Sequence, residues 1–66
     1  MQVQINGESR RLAGPTTVAG LLSELGLDPR KIAVERNLEI VPRSAYGMTG
    51  VEDGDRLEIV QFVGGG

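Results

Sequence analysis

Apolar and polar residues alternate over residues 1–6, and strict alternation of this kind predicts a β-strand. The Asn6-Gly7 dipeptide follows and favours a two-residue hairpin turn, because both central residues of a type I′ turn need positive φ. Residues 8–13 resume the extended pattern, with Leu12 expected to point inward. The chain is therefore predicted to open with a β-hairpin.

After this hairpin the apolar positions follow a helical period. Thr16-Thr17 supplies an N-cap for a helix that should continue to about Leu25. One apolar stripe at i, i+3, i+4 and i+7 consists of Val18, Leu21, Leu22 and Leu25. Gly26 stands where a left-handed C-cap residue is expected. Gly20 lies inside the helix at a cost of about 1 kcal/mol relative to Ala. It either allows close packing against a strand or is simply tolerated.

Three more strands are predicted in the second half of the chain. They cover residues 32–36, 39–41 and 56–63. Turns are expected at Asn37 and Asp53-Gly54, and residues 43–51 form a loop or short helical turn. This order predicts an α+β fold with a small mixed sheet and one helix packed across one face. Residues 1–63 should form one domain.

The composition argues against catalysis by this domain alone. Its 66 residues include no His and no Cys, which removes the commonest general base, the commonest metal ligand and any thiolate site. The net charge is -2 and the basic residues are scattered, unlike a nucleic-acid-binding face. No apolar run approaches the roughly 20 residues of a membrane span. The opening strand does not resemble a signal peptide, so the cytoplasm is the expected compartment.

Several polar clusters have simple structural interpretations. The acidic cluster consists of Glu52, Asp53, Asp55 and Glu58. Its spacing does not match a calcium loop, so a solvated turn is favoured over a cation site, and no metal is expected. The Arg10-Arg11 and Arg30-Lys31 pairs are most simply solvated, with docking of an acidic partner as the alternative. Tyr46 is predicted to pack over the core rather than act as an acid or base.

The last predicted strand is more informative about partners. If Leu57 and Ile59 point to the core, Val60 and Phe62 fall on the face that the single helix leaves uncovered. An exposed apolar patch on a small domain usually marks a protein interface. The alternative is that the sheet curls or that the preceding loop covers these side chains. We predict that Val60, Phe62 and the adjoining Val63 bind a partner protein.

Three glycines, Gly64, Gly65 and Gly66, follow the last predicted strand. Folding requires none of them there, because glycine adds no side chain and has the largest entropy to lose. Three extended residues span about 10 Å, which suits a narrow channel. A frayed terminus or a cloning remnant is the alternative. We predict that the terminal carboxylate of Gly66 is the reactive group and that Gly64 and Gly65 form its arm.

Four motifs occur together along the chain. They are Thr17-Val18 with Leu21-Leu22, Asn37 followed by Ile40-Val41-Pro42-Arg43, Asp53-Gly54-Asp55, and Gly65-Gly66. This combination resembles the ThiS family, the ubiquitin-like β-grasp sulfur carriers of thiamine biosynthesis, over essentially the whole chain. The Val-Pro-Arg segment and the short length are the more specific elements. The Gly-Gly end is shared with ubiquitin-like carriers generally.

The resemblance implies a reaction sequence at Gly66. An E1-like, ThiF-like adenylyltransferase would use ATP to adenylate the carboxylate. Sulfur from a donor such as a cysteine desulfurase would convert it to a thiocarboxylate, which would deliver sulfur to a ThiG-like thiazole synthase. The chain would act as a carrier rather than an enzyme and would bind no cofactor, since ATP is bound by the partner. Neither nucleic acid nor a membrane is implied as a partner.

Two positions depart from the family pattern. Gly64 adds a third glycine and lengthens the arm, and Gly20 stands where a capping Glu would better satisfy the helix N-terminus. Three alternatives stay open. The chain could be the sulfur-carrying subunit of molybdopterin synthase, a protein modifier joined to lysines through Gly66, or a passive β-grasp interaction module.

Overall fold

The computed structural model describes residues 1–62, so Val63 and the glycine tail of residues 64–66 lie outside the described part of the chain. The helix and strands, in chain order, are β1 Gln2–Ile5, β2 Glu8–Arg11, β3 Thr16–Thr17, α1 Val18–Glu24, β4 Ile32–Arg36, β5 Glu39–Val41, β6 Gly50–Val51 and β7 Arg56–Gln61. Two 3₁₀ turns, Pro29–Lys31 and Arg43–Ala45, lie in the connections.

A five-stranded mixed sheet has the order β2-β1-β7-β4-β5. β1 and β7 are parallel, whereas the other neighbouring strands are antiparallel. α1 packs across one face, and we call the opposite face the outer face. The buried core consists of Val3, Leu12, Val18, Leu21, Leu22, Ile32, Val34, Val41, Tyr46, Val51 and Leu57. The predicted α+β architecture with one helix on one face is confirmed.

Two hairpins have the backbone conformation of type I′ turns. In the first, Asn6 has φ 51° and Gly7 has φ 83°, so the turn predicted from their dipeptide is confirmed. In the second, between β4 and β5, Asn37 has φ 52° and Leu38 has φ 71°. Asn37 was expected at a turn, but leucine rarely adopts positive φ, and no propensity rule would have placed it there.

The helix has the caps that its sequence predicts. The Thr17 side chain accepts a hydrogen bond from the Gly20 amide at 3.1 Å. Gly26 has φ 74°, and the Leu27 amide donates to the Leu22 carbonyl at 2.9 Å, as in a Schellman motif. A Cβ at Gly20 would overlap the Thr16 hydroxyl. Gly20 therefore allows close packing against β3, which resolves the two interpretations of this residue.

β3 and β6 were not predicted. They pair antiparallel through Thr16 with Val51 and Thr17 with Gly50. The Val18 amide continues the contact by donating to the Thr49 carbonyl at 2.9 Å. A strand of two residues has no period to detect, so sequence patterning could not have found this pair.

Several predicted strand ends were too long. β2 ends at Arg11 rather than at residue 13, although Leu12 is buried as expected. β7 ends at Gln61, so Phe62 follows the strand. Ile59 is partly buried against the core, in agreement with its predicted direction. The strand residue expected at position 63 lies outside the described residues.

Candidate functional site

β7 leads directly towards the glycine tail, and both of its neighbours hold it near this end. On the β4 side, the Phe62 amide donates to the Lys31 carbonyl at 2.8 Å. On the β1 side, Asn6 binds Ile59 twice. Its Oδ1 accepts from the Ile59 amide at 2.7 Å, and its Nδ2 donates to the Ile59 carbonyl at 3.1 Å. The end of β7 is therefore held by hydrogen bonds on both sides, at Phe62 on the β4 side and at Ile59 on the β1 side.

The outer face carries an apolar patch at this end of β7. Val60 is 58% exposed and Phe62 is 51% exposed, so the predicted exposure of both is confirmed. Val60 lies opposite Ala33, and Ile40, 77% exposed, lies opposite Glu35 on the same face. We call Ala33, Ile40, Val60 and Phe62 the apolar patch. The sequence alone does not place Ile40 on this face, because its direction depends on the register between β4 and β5.

Two carboxylates border the apolar patch. Glu35 and Glu58 lie directly opposite each other on β4 and β7, and both are exposed. Like charges in such a cross-strand pair destabilise a sheet slightly. Charge complementarity at this border would therefore favour a partner with basic residues around an apolar contact.

One member of the acidic cluster, Asp55, has a structural role, and its predicted exposure was wrong. Asp55 was expected in a solvated turn, yet it is only 6% exposed. Its Oδ2 accepts from Arg36 Nε at 2.7 Å and from the Glu52 amide at 2.8 Å. Its Oδ1 accepts from Asn37 Nδ2 at 3.0 Å. Asp55 therefore joins the β4–β5 hairpin to the start of β7.

The ionisation of Asp55 follows from these contacts. Burial raises the pKa, but the hydrogen bonds from Arg36, the Glu52 amide and Asn37 outweigh it and hold the pKa of Asp55 below its ordinary value. The neighbouring Asp53 is exposed, as expected for a turn, and accepts from the Gln2 amide at 2.6 Å. Among residues 1–62, no group of three or more His, Cys, Asp or Glu side chains could hold a metal ion.

The basic pairs and Tyr46, which the sequence also suggested as candidates, either make contacts within the domain or are exposed. Arg30 pairs with Asp28 at 3.0 Å, and its hydrogen bonds lower the pKa of Asp28 to about 2. Arg10 and Arg11 are exposed on β2, and Lys31 is exposed at the end of the first 3₁₀ turn. Docking of an acidic partner through either basic pair stays the alternative. Tyr46 is buried, as predicted. Its hydroxyl donates to a β4 carbonyl at 3.3 Å.

The Val-Pro-Arg segment supports the same end of the sheet. Val41 is buried at the end of β5, and Pro42 follows it. Arg43 Nε donates to the Pro29 carbonyl at 3.1 Å, and its Nη2 lies 3.5 Å from the Ile32 carbonyl. Arg43 thereby ties the start of β4 to the 3₁₀ turn before it. This is the part of β4 that faces the end of β7.

Comparison with known proteins identifies the family. The ThiS family matches residues 3–66. The chain belongs to the ThiS family. A ThiS protein of Geobacter metallireducens, described as a thiamine biosynthesis protein, has a similar structure with a TM-score of 0.87 and 36% identity, and each chain covers 100% of the other. The predicted family and its β-grasp fold are confirmed.

Relatives of two lengths match the chain. The sulfur carrier protein ThiS of Bacillus subtilis is 38% identical over 65 residues, which are 97% of this chain and 98% of that protein. A thiazole synthase of Paramagnetospirillum magneticum is 61% identical over 66 residues, which are 100% of this chain but 20% of that protein. The chain thus spans about a fifth of the thiazole synthases that it matches. The match to the Bacillus subtilis protein over nearly its whole length agrees with the predicted family.

The structure divides the predicted site residues into two groups. Val60 and Phe62 lie together on the apolar patch. Val63 and the predicted reactive arm, Gly64, Gly65 and Gly66, lie outside the described residues. Within the described part of the chain, no helix is long and apolar enough to cross a membrane.

Proposed function

We propose that this chain carries sulfur for thiazole formation in thiamine biosynthesis, as a thiocarboxylate at Gly66. The observation that supports this most directly is the course of β7, which ends beside an exposed apolar patch and is followed in sequence by Phe62, Val63 and three glycines. Membership of the ThiS family agrees with it. The patch would bind partner enzymes, and the glycines would enter their active sites.

The first chemical step is activation of the carboxylate. A terminal carboxylate is ionised at neutral pH, because its ordinary pKa is about 3.3–3.7. It attacks the α-phosphorus of ATP bound to an E1-like, ThiF-like adenylyltransferase, and pyrophosphate leaves. The product is an acyl-adenylate, a good acylating agent. Glycine at this position leaves the carbonyl carbon unhindered.

The second step brings in sulfur. A persulfide on a donor such as a cysteine desulfurase attacks the acyl carbon, and AMP leaves. A second thiol then reduces the acyl disulfide and releases the thiocarboxylate. Cysteine is absent from the chain, and this route needs none, since sulfur is carried on the terminal carbonyl. The ATP-dependent partners would place the reaction in the cytoplasm.

The receiving enzyme in this proposal is a ThiG-like thiazole synthase. Two proteins named thiazole synthase include a segment 61% and 44% identical to this chain. A carrier and its acceptor enzyme joined in one polypeptide are held at high effective concentration. This arrangement supports thiazole synthase as the partner, rather than the synthase of the molybdopterin pathway.

Mass spectrometry of the intact chain tests the chemistry. The mass of the natural protein first establishes whether it ends at Gly66. Incubation with the adenylating enzyme, ATP and a sulfur donor should then exchange one oxygen for sulfur. Deleting all three glycines, residues 64–66, should abolish the exchange, while deleting a single glycine leaves Val63 followed by Gly-Gly and serves as the control for arm length. Unchanged mass with an active enzyme, or sulfur uptake after deletion of residues 64–66, would contradict the proposal.

A further inference from the structure

β7 is a central strand over only part of its length. Its pairing with β1 covers Arg56 and Leu57, whereas its pairing with β4 continues to Gln61. β1 ends at Ile5, where the chain turns into the first hairpin. Residues 59–61 therefore have β4 on one side and no strand on the other within the described chain.

On the side of β7 that has no neighbouring strand, Asn6 makes the hydrogen bonds that such a strand would make to one residue, Ile59. The Asn6 amide donates to the Leu57 carbonyl at 2.9 Å, which is the last main-chain hydrogen bond from this side. The side chain of Asn6 then binds both the amide and the carbonyl of Ile59. One carboxamide thus continues the hydrogen-bonding pattern of a neighbouring strand as far as Ile59.

The pattern stops at Gln61. In an antiparallel pair, alternate residues bond to the partner strand, and those between them direct their amides and carbonyls the other way. The Phe62–Lys31 hydrogen bond sets this alternation on β7. Gln61 then directs its amide and carbonyl away from β4, to the side where Asn6 ends. No described residue bonds to either group there, and Gln61 is exposed.

We propose that an extended segment of a partner enzyme pairs with this edge of β7 at Gln61. This rests on the proposed function, because the partner is the enzyme that receives the tail. Its main-chain carbonyl would accept from the Gln61 amide, and its main-chain amide would donate to the Gln61 carbonyl. The sheet would thereby gain a strand for as long as the complex lasts.

Two features favour an extended peptide over another occupant. Open strand edges invite pairing and are normally shortened, charged or covered, yet this one lies beside Val60 and Phe62, which are apolar and exposed. The glycines that follow in the sequence also present no side chains, so the polar groups they offer to a partner are main-chain amides and carbonyls and the terminal carboxylate. Pairing along one edge supplies such contacts at alternate residues.

Amide hydrogen exchange in the full chain tests the proposal. The Gln61 amide should exchange rapidly in the free protein and more slowly, on the order of tenfold or more, with saturating adenylating enzyme or thiazole synthase. The Ile59 amide, bonded to Asn6 in both states, serves as the internal reference. An unprotected Gln61 amide in a complex that still forms the thiocarboxylate would overturn the edge proposal and leave the proposed function intact. Protection that rises with the concentration of free protein would overturn it in favour of pairing between copies.

A matched pair of variants isolates the main-chain contact. Gln61→Pro removes the amide hydrogen without removing a bond to β4, and Gln61→Ala shortens the side chain but keeps the amide. The proline variant should bind the partner on the order of tenfold more weakly than the alanine variant, with similar unfolding midpoints. Equal dissociation constants for the two variants would overturn the proposal. If the proline variant fails to fold, the exchange measurement decides.

Discussion

The two ends of β7 are built differently. At its start, β7 lies between β1 and β4, and the buried Asp55 beside it binds Arg36 and Asn37 from the second hairpin. At its end, one side chain, Asn6, takes the place of a strand, and the next residue along that edge is open. The difference shows how a small domain combines stability with access. The first end holds the fold together, while the second presents backbone and apolar surface to partners.

The largest loss of stability is expected at the start of β7, where Asp55 is buried. Asp55→Ala removes the acceptor of four hydrogen bonds and leaves Arg36, whose side chain is only 25% exposed, without its main partner. We expect the free energy of unfolding to fall by about 2–3 kcal/mol, because hydrogen bonds to charged groups contribute most. Urea denaturation would measure this. Asp53→Ala, at an exposed residue nearby, should lower the free energy of unfolding clearly less. Equal losses in the two variants would contradict the role of Asp55 in joining the second hairpin to β7.

A smaller loss is expected at Asn6. Asn6→Ala removes two hydrogen bonds to Ile59 and places alanine at a φ of 51°. Together these should cost about 1–2 kcal/mol. Asn6→Gly separates the two causes, because glycine adopts this φ without strain. In both variants the Ile59 amide should exchange faster. Unchanged exchange at Ile59 would show that Asn6 does not replace a strand.

Lowering the pH should weaken the hydrogen bonds of Asp55 at the start of β7. The pKa of Asp55 is lower in the folded chain than in the unfolded chain. Its contribution is therefore present above the unfolded pKa of about 3.9 and is lost as the pH falls through the folded value. Denaturation of the wild type should show a decline in stability below about pH 4. Asp55→Asn should show a shallower decline, and parallel curves would count against this origin.

The smallest effect on stability is expected on the apolar patch. Phe62→Asp changes a side chain that is 51% exposed, so the free energy of unfolding should shift by less than about 0.5 kcal/mol. Binding to the adenylating enzyme should nevertheless weaken on the order of tenfold or more. Met48→Asp, at an 81% exposed residue outside the five-stranded sheet, is the matched control. Equal binding by both variants, measured by calorimetry, would remove Phe62 from the interface.

Local patterns in the sequence predicted most of the fold. The Asn6-Gly7 turn, the α1 stripe and the Gly26 cap each depend on neighbours in sequence, and all are present in the structure. What local patterns missed depends on contacts between distant residues. Asp55 looked like part of a solvated turn because its partner Arg36 is 19 residues away. No spacing rule connects such a pair.

The candidate site divides in the same way. Alternation along the last strand placed Val60 and Phe62 on the exposed face. The register between β4 and β5 was needed to add Ile40 to the patch. The open edge at Gln61 could not be predicted, because it depends on where β1 stops relative to β7. The chemistry proposed for Gly66 came from family resemblance, since the physical properties of a glycine tail define only a slender end with an unhindered carboxylate.

The position of Asn6 also has a consequence for how the protein ages. Asparagine followed by glycine is prone to deamidation, in which the next main-chain nitrogen attacks the side-chain amide and ammonia is lost. In this fold both ends of that amide are bonded to Ile59, which restrains the attack while the strand stays in place. Once it occurs, a carboxylate faces the Ile59 carbonyl where a donor stood. Deamidation would therefore occur first in molecules in which the hydrogen bonds between Asn6 and Ile59 had broken.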